Sequence, residues 1–245
     1  MSMNPRLLRP IARFQAPAPA PTDPDFASVS LLLHMDGADE STTFTDSSSN
    51  VLTVTANGGA EISTAESKFG GASGLFNIGG YLVVPKVAAE FGTDNFSIEM
   101  WTYASATQTS GFPCVFSNYA SYGSNALALF AGTEATTANK WVLTFDGVFP
   151  GIESTNDIPY GEWAHVAVVR NADTLTLYVN GVSEGSADVS GRDLTGNATD
   201  WYVNGAGDGL GTNNYIGYID ELRITKGVAR YTANFTPPTA PFPNQ

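Results

Sequence analysis

Residues 174–179 constrain this chain more tightly than any other stretch. Thr174, Leu175, Thr176, Leu177, Tyr178 and Val179 alternate along the chain, which puts Leu175, Leu177 and Val179 on one face of an extended strand. Asn180-Gly181 follows at once. Both residues tolerate positive φ, so the pair predicts a type I′ turn and a second strand from Val182. Further strand patterns, rich in β-branched and aromatic residues, occur at 31–36, 51–55, 81–84, 96–103, 126–130, 141–145, 163–170, 201–203 and 215–225. Residues 163–170 are apolar on both sides, which predicts a central strand covered on both faces. Trp101, Trp141 and Trp163 fall inside these strands and are assigned to the core. Helical patterning is nearly absent, and 87–91 is the one candidate for a single turn.

Many strands without helical crossovers imply antiparallel pairing, and two such sheets imply a sandwich. The expected fold is an all-β antiparallel jelly roll of more than ten strands. The 25 glycines, 14 prolines and only 14% charged residues suit short strands joined by turns, not long surface helices. No composition break divides the body of the 245-residue chain.

The first 28 residues differ. Arg6, Arg9 and Arg13 precede the first acid, Asp23, and alternating Ala and Pro from Ala16 to Pro21 favour an extended polyproline spacer. The expected organisation is an extended basic arm, 1–28, followed by one domain, 29–245. The arm reads either as a disordered tail or as a docking arm that orders on a larger assembly, with its arginines as partner contacts. It lacks the apolar run of a secretory signal, so the expected place of synthesis and folding is the cytoplasm. No stretch approaches the roughly 20 apolar residues of a membrane span, so membrane insertion is not expected. The formal charge of −13 argues against nucleic acid as a partner. A single cysteine, Cys114, rules out an intrachain disulfide.

Counting by two through 215–225 places Tyr218, Asp220, Leu222 and Ile224 on one face, with the leucine and isoleucine marking it as the core side. Asp220 is therefore expected to point inward, where a carboxylate needs a partner or a metal. The same count groups Leu32, His34 and Asp36. Calcium takes six to eight oxygen ligands, which two aspartates and turn carbonyls supply if the first and last strands are neighbours. Plainer uses compete: Asp36 shaping an Asp-Gly turn, Asp46 an Asx turn, Asp220 pairing with Arg223 or Lys226. Around the glycine-rich loop 204–214, Trp201, Tyr202, Asn213 and Tyr215 are candidates for contacting a sugar or partner, with burial in the core as the competing reading. Catalysis finds little support. The chain has two histidines, His34 and His165, both within strand patterns; it lacks His-x-x-x-His spacing and the Gly-x-Ser-x-Gly elbow.

The segments LLLHMDG (31–37), FTDSSSN (44–50), SKFGGASGLF (67–76), NFSIEMW (95–101), EWAHVAVVR (162–170), LTLYVNG (175–181), IGYIDELRIT (216–225) and ARYTANFTPPTAPF (229–242) resemble the laminin-G-like, concanavalin A-like jelly-roll family. They are especially similar to the versions in bacteriophage virion proteins. Such modules mostly bind or build, and several hold calcium or sugars. The resemblance implies a structural calcium ion at Asp36, Asp220 and Asp46, and a non-enzymatic virion protein, head-decorating or tail-associated. Its expected partners are other virion proteins, reached through the arm, and a host-surface glycan. The alternative is a carbohydrate-binding adhesion module of a bacterial surface protein. The strand IDEL departs from the Glu-x-Asp-x-x-Glu pattern of the related jelly-roll glucanases, and adjacent Asp220 and Glu221 point to opposite faces, so they cannot flank one glycosidic bond.

Overall fold

The computed structural model describes residues 22–245 apart from 106–107, 109–110, 122, 124, 133–138 and 208–209. Arg6, Arg9 and Arg13 lie outside the described residues. In chain order the first strands are β1 (Val29–Leu33), β2 (Thr55–Asn57), β3 (Glu61–Ser63), β4 (Ser73–Phe76), β5 (Tyr81–Pro85), β6 (Phe96–Ala104), β7 (Cys114–Ser117) and β8 (Leu127–Ala131). They continue with β9 (Lys140–Phe145), β10 (Val148–Asp157), β11 (Trp163–Asn171), β12 (Thr174–Val179), β13 (Val182–Asp188), β14 (Asp200–Val203) and β15 (Gly217–Lys226).

These strands form two antiparallel sheets. The larger runs β13-β12-β11-β6-β15-β4-β3, with β1 also paired to β15, and the smaller runs β10-β9-β8-β7-β14-β5-β2. The expected all-β sandwich is what forms. Inner-face residues such as Leu31, Ile98, Val168 and Leu177 meet Phe116, Leu129, Trp141 and Trp201 in one apolar core. Each fully buried side chain of this size contributes about 1.5–3 kcal/mol, so the facing layers dominate stability. The Asn180-Gly181 turn has φ of 49° and 76°, as the sequence predicts. A β-carbon at Gly181 would collide with the Phe235 carbonyl, because the C-terminal segment lies against this turn. Among the described residues no helix is long and apolar enough to cross a membrane.

Some elements differ from expectation. The first strand ends at Leu33, not at Asp36, and Met35 adopts φ 60° just beyond it. The strand expected at 51–55 begins only at Thr55, after Val51 at φ 48°. The helical turn expected at 87–91 is a short 3-10 turn, Lys86–Ala89. Strands β3, β4, β7 and β10 have no counterpart among the expected ones. The first three are three or four residues long, and β10 carries Pro150 and Gly151, which break the strand signal although an edge strand tolerates them.

The larger sheet is covered on its inner face by the smaller one, and over part of its outer face as well. The segment after β15 crosses its outer face: Tyr231 and Phe235 stack at 3.5 Å over Ala167, Val169 and Tyr178, while Phe242 packs on Val29 and Leu32. This strap explains why β11 is apolar on both sides. Asp23, before the first strand, is also buried, and its N–H donates to the Gln245 carbonyl at 2.7 Å.

At one end of β11, Arg170 is buried and donates to the carbonyls of Ala172, Gly92, Arg192 and Val189 at 2.7–3.2 Å. It thereby ties together three loops that no strand pairing reaches. Arg170→Met keeps the volume but strands several of these acceptors, each costing about 1–3 kcal/mol. The expected loss is at least about 3 kcal/mol, read from the urea midpoint; a midpoint within about 0.5 kcal/mol of the parent would refute this role.

Candidate functional site

A single bulge determines which side chains reach the outer face of the larger sheet. Strand β15 pairs with β4 through Gly217–Ile219 and with β1 through Leu222–Thr225, so its neighbour on one side changes midway. At the changeover the register against β6 slips between Asp220 and Arg223, and Glu221 takes φ 52°. An inserted residue reverses the alternation. Ile219, Leu222 and Ile224 therefore share the core, and Asp220 lies opposite Trp101 on the outer face. Asp220 does not point into the core, as simple counting predicts.

The face so exposed carries a buried ionic network. Glu99 on β6 accepts two hydrogen bonds from Arg223, at 3.0 and 2.8 Å, and one from Tyr231 Oη at 2.7 Å. Arg223 also donates to Asp23 at 2.9 Å, and Arg230 donates to both Asp23 oxygens at 3.0 and 2.8 Å. Burial alone would raise the Glu99 carboxyl, but Arg223, the adjacent His165 and Tyr231 bring it down to about 2. His165 Nε2 lies 3.3 Å from Glu99, and the ring meets Trp101 and Phe235 edge-on. His165 is a buried sheet residue in a packed setting.

A second cluster surrounds the bulge. His34 Nδ1 lies 2.8 Å from Glu221 and Nε2 lies 2.6 Å from Asn244 Oδ1, while Glu221 also accepts the Phe242 N–H at 2.8 Å. Burial would lower the His34 pKa, yet these acceptors raise it. Asp220 Oδ2 accepts the N–H groups of Lys68 and Phe69 at 2.8 and 3.0 Å, filling the gap between β4 and β1. Its Oδ1 is buried without a hydrogen-bond partner. Burial, reinforced by Glu221 and Asp36, pushes the Asp220 carboxyl up to about 7 against those two N–H donors.

The three aspartates expected to share a metal do not come together. Asp46 is saturated: its oxygens accept from the N–H groups of Leu32, Ser48 and Leu52 and from the Ser48 hydroxyl. That is the Asx-turn use, extended to clamp β1. Asp36 is exposed beside Gly70 and within electrostatic reach of Asp220. Among the described residues no three His, Cys, Asp or Glu side chains are grouped to hold a metal ion. Two of the expected ligand-contacting residues are core instead. Trp201 is buried and stacks on Phe116 at 5.5 Å, and Tyr215 is fully buried. Tyr202 is buried on the outer side of the smaller sheet, and Asn213 is half-buried, its carbonyl accepting the Cys114 N–H.

Sequence reasoning missed a row of aromatics. Trp163, Tyr103 and Tyr218 occupy directly opposed positions on β11, β6 and β15. Ring centroids are 5.6 Å apart for Tyr103 and Trp163 and 5.8 Å for Tyr103 and Tyr218. All three are half-buried on the outer face. Trp163 is thus not a core residue, and Trp101, on the same face, is covered by Lys68 at 3.8 Å. Of the three tryptophans assigned to the core, Trp141 lies between the sheets and Trp101 is buried on the outer face. The signal was present: Trp101 and Tyr103 alternate with Met100 and Thr102, and Trp163 has the parity of His165.

Residues 76–230 match the family model described as the concanavalin A-like lectin/glucanases superfamily. The chain belongs to this superfamily. Among solved structures it is similar to domain 4 of an extracellular GH43 arabinanase from Geobacillus stearothermophilus, in complex with arabinotriose. The identity is 21% and the TM-score 0.60, over 82% of this chain and 94% of that one. It is also similar to the binding domain of Paraclostridial mosquitocidal protein 1, at 16% identity and TM-score 0.59, covering 82% of this chain and 49% of that one. The binding domain of botulinum neurotoxin DC, in complex with rat synaptotagmin II, follows at 14% identity and TM-score 0.54, covering 90% and 50%. This chain thus spans about half the length of those toxin binding domains. No curated protein sequence matches it.

The superfamily's description covers both lectins and glucanases, and the two adjacent acids of β15 are both engaged within the fold. Glu221 is clasped by His34 and Phe242, and Asp220 is buried against a loop. Neither faces an open cleft with a second free acid. The raised pKa values have a consequence for stability. Asp220 stabilises fully below the ordinary carboxylate value of 3.8, and its contribution is lost as pH rises through about 7. His34 has the same sign, stabilising below about 6.5 and losing its contribution above its raised folded value. In metal-free buffer the melting temperature should therefore fall from pH 5 to pH 8, and Asp220→Asn should flatten much of that slope. An unchanged slope in the variant would exclude Asp220 as its source.

Proposed function

We propose that this chain is a non-catalytic, lectin-like attachment domain displayed from its N-terminal arm as a component of a virion. The observation that carries the reading is the junction at Asp23. The chain enters the domain through a buried carboxylate held by Arg223 and Arg230, and that carboxylate's burden is shared with Glu99 at the centre of the larger sheet. Residues 23–28 are therefore part of the rigid body, and an arm that pulls on the domain pulls on its sheet rather than on a loose loop. The arm's arginines, Arg6, Arg9 and Arg13, would face the assembly, with the acidic domain turned away from it.

Mass spectrometry of purified particles against free lysate tests the location: enrichment in particles is expected, and presence only in the free fraction sinks the virion reading. Asp23→Ala should lower stability by about 3 kcal/mol or more, since it leaves two arginines without their shared acceptor. It should also extend limited proteolysis from the arm into residues 22–28. Proteolysis that stops at the same bond in the variant would detach the arm from this argument.

A carbohydrate-binding module of a bacterial surface protein is the second reading, favoured by the likeness to an arabinanase domain solved with arabinotriose. The two readings differ in location and not in the domain's chemistry. Carbohydrate is the proposed target in either case.

A structural calcium ion is part of the proposal, in reduced form. The unpartnered, buried Asp220 Oδ1 and the neighbouring Asp36 carboxylate fit a hard cation, with carbonyls completing the shell; Asp46 has no oxygen to spare. Calcium would supply the positive charge that these crowded acids lack. At pH 8, millimolar calcium should raise the melting temperature and Asp220→Asn should abolish the effect; equal melting with calcium and with chelator removes the ion from the account.

A further inference from the structure

We propose that the row Trp163, Tyr103 and Tyr218 is the carbohydrate-binding surface of this domain and takes a neutral oligosaccharide. The inference rests on the attachment reading above and supplies the site which that reading leaves open. The strap closes the rest of the outer face of the larger sheet, packing Tyr231, Phe235 and Phe242 onto it. At the end where β11 begins and β6 ends, no such cover lies over the row among the described residues, and three large aromatics remain half-buried side by side.

Their placement is rigid. Each ring stands on a central strand of the sheet, directly opposite its neighbour, so the row crosses three strands at the spacing the ladder fixes. Tilted and edge-to-face packing, with interplanar angles of 59° and 78°, holds the rings against one another. Tyrosine and tryptophan have only two side-chain torsions, so a preformed row loses little entropy when a ligand lands on it.

The chemistry of the row and its rim selects the occupant. Aromatic rings offer apolar surface to the C–H faces of a sugar, and the Tyr103 and Tyr218 phenols offer polar ends beside them. Burial and, after it, the nearby Glu66 carboxylate raise the Tyr218 pKa, and exposed Glu162 immediately precedes Trp163. Carboxylates accept hydrogen bonds from sugar hydroxyls but repel sialic acids and uronates. The adjacent cation, Lys68, is engaged over the Trp101 ring at 3.8 Å. Three partly covered side chains also expose far less than the roughly 800 Å² per side of a stable protein interface. A neutral oligosaccharide fits the size, the rings and the charge together.

The test is the full chain on a printed array holding neutral gluco-, manno-, galacto- and arabino-oligosaccharides alongside sialylated and uronate-containing ones. The best binder is then titrated against Trp163→Ala, Tyr218→Ala and Tyr218→Phe, with melting curves for each variant. Neutral glycans should bind, and each alanine variant should lose about tenfold in affinity at nearly unchanged melting temperature. Tyr218→Phe, which keeps the ring and has no folding liability, should retain most of the affinity. Neutral binding untouched by the alanine variants overturns this site but leaves the attachment reading standing. Preference for sialylated or uronate-containing glycans overturns the ligand class. Binding to nothing on the array overturns the proposal and the carbohydrate half of the attachment reading, whereas the particle location is decided separately by mass spectrometry. Sedimentation showing a dimer that Trp163→Ala dissolves would reassign the row to self-association.

Discussion

Glu99 and Arg223 face each other across the two middle strands of the larger sheet, where neither charge has water to solvate it. Two ions removed from water are costly unless every donor and acceptor finds a partner. The outer face is organised around that requirement. Tyr231 comes from the C-terminal strap to complete Glu99, and Asp23 comes from the segment before β1 to complete Arg223. Both ends of the described chain are thus recruited by one buried pair. The apolar contacts of Phe235 and Phe242 then seal it from solvent. A strap bound elsewhere would leave these charges unsatisfied.

The bulge in β15 is the second organising element. It arises where β15 changes partner from β4 to β1, and it turns Asp220 and Arg223 outward together. Without it the two would lie on opposite faces, and either the acid would enter the apolar core or the arginine would lose Glu99. The strained backbone at Glu221 is compensated by the hydrogen bonds its carboxylate makes to His34 and Phe242.

Much of the fold was legible because its signals are local. Alternation along β12, the Asn180-Gly181 turn and the long apolar run of β11 each name an element without reference to the rest of the chain. Short strands such as β3 and β7 exist only through their neighbours, and no window of three or four residues carries that information. The site was less legible for a related reason. Parity counting is sound within a regular strand, yet one inserted residue inverts it, and nothing in the text IDEL marks the insertion. The outer-face position of Trp163 is not legible locally, because the extent of the strap, and so the boundary between the covered and open parts of the outer face, depends on contacts with residues far along the chain. Trp201 and Tyr215, next to a glycine-rich loop, looked like ligand contacts, but both point between the sheets.

The hydrogen bond between Asp23 and Gln245 brings the segment that leads into the sandwich beside residue 245. Two points of a domain that lie this close can be bridged while the chain is opened elsewhere. Linking residue 245 to the segment at Asp23 and cutting at an exposed turn would give the same sandwich with its exit point moved. A tether could then leave from a different side of the body, which would turn a different surface towards whatever the domain meets.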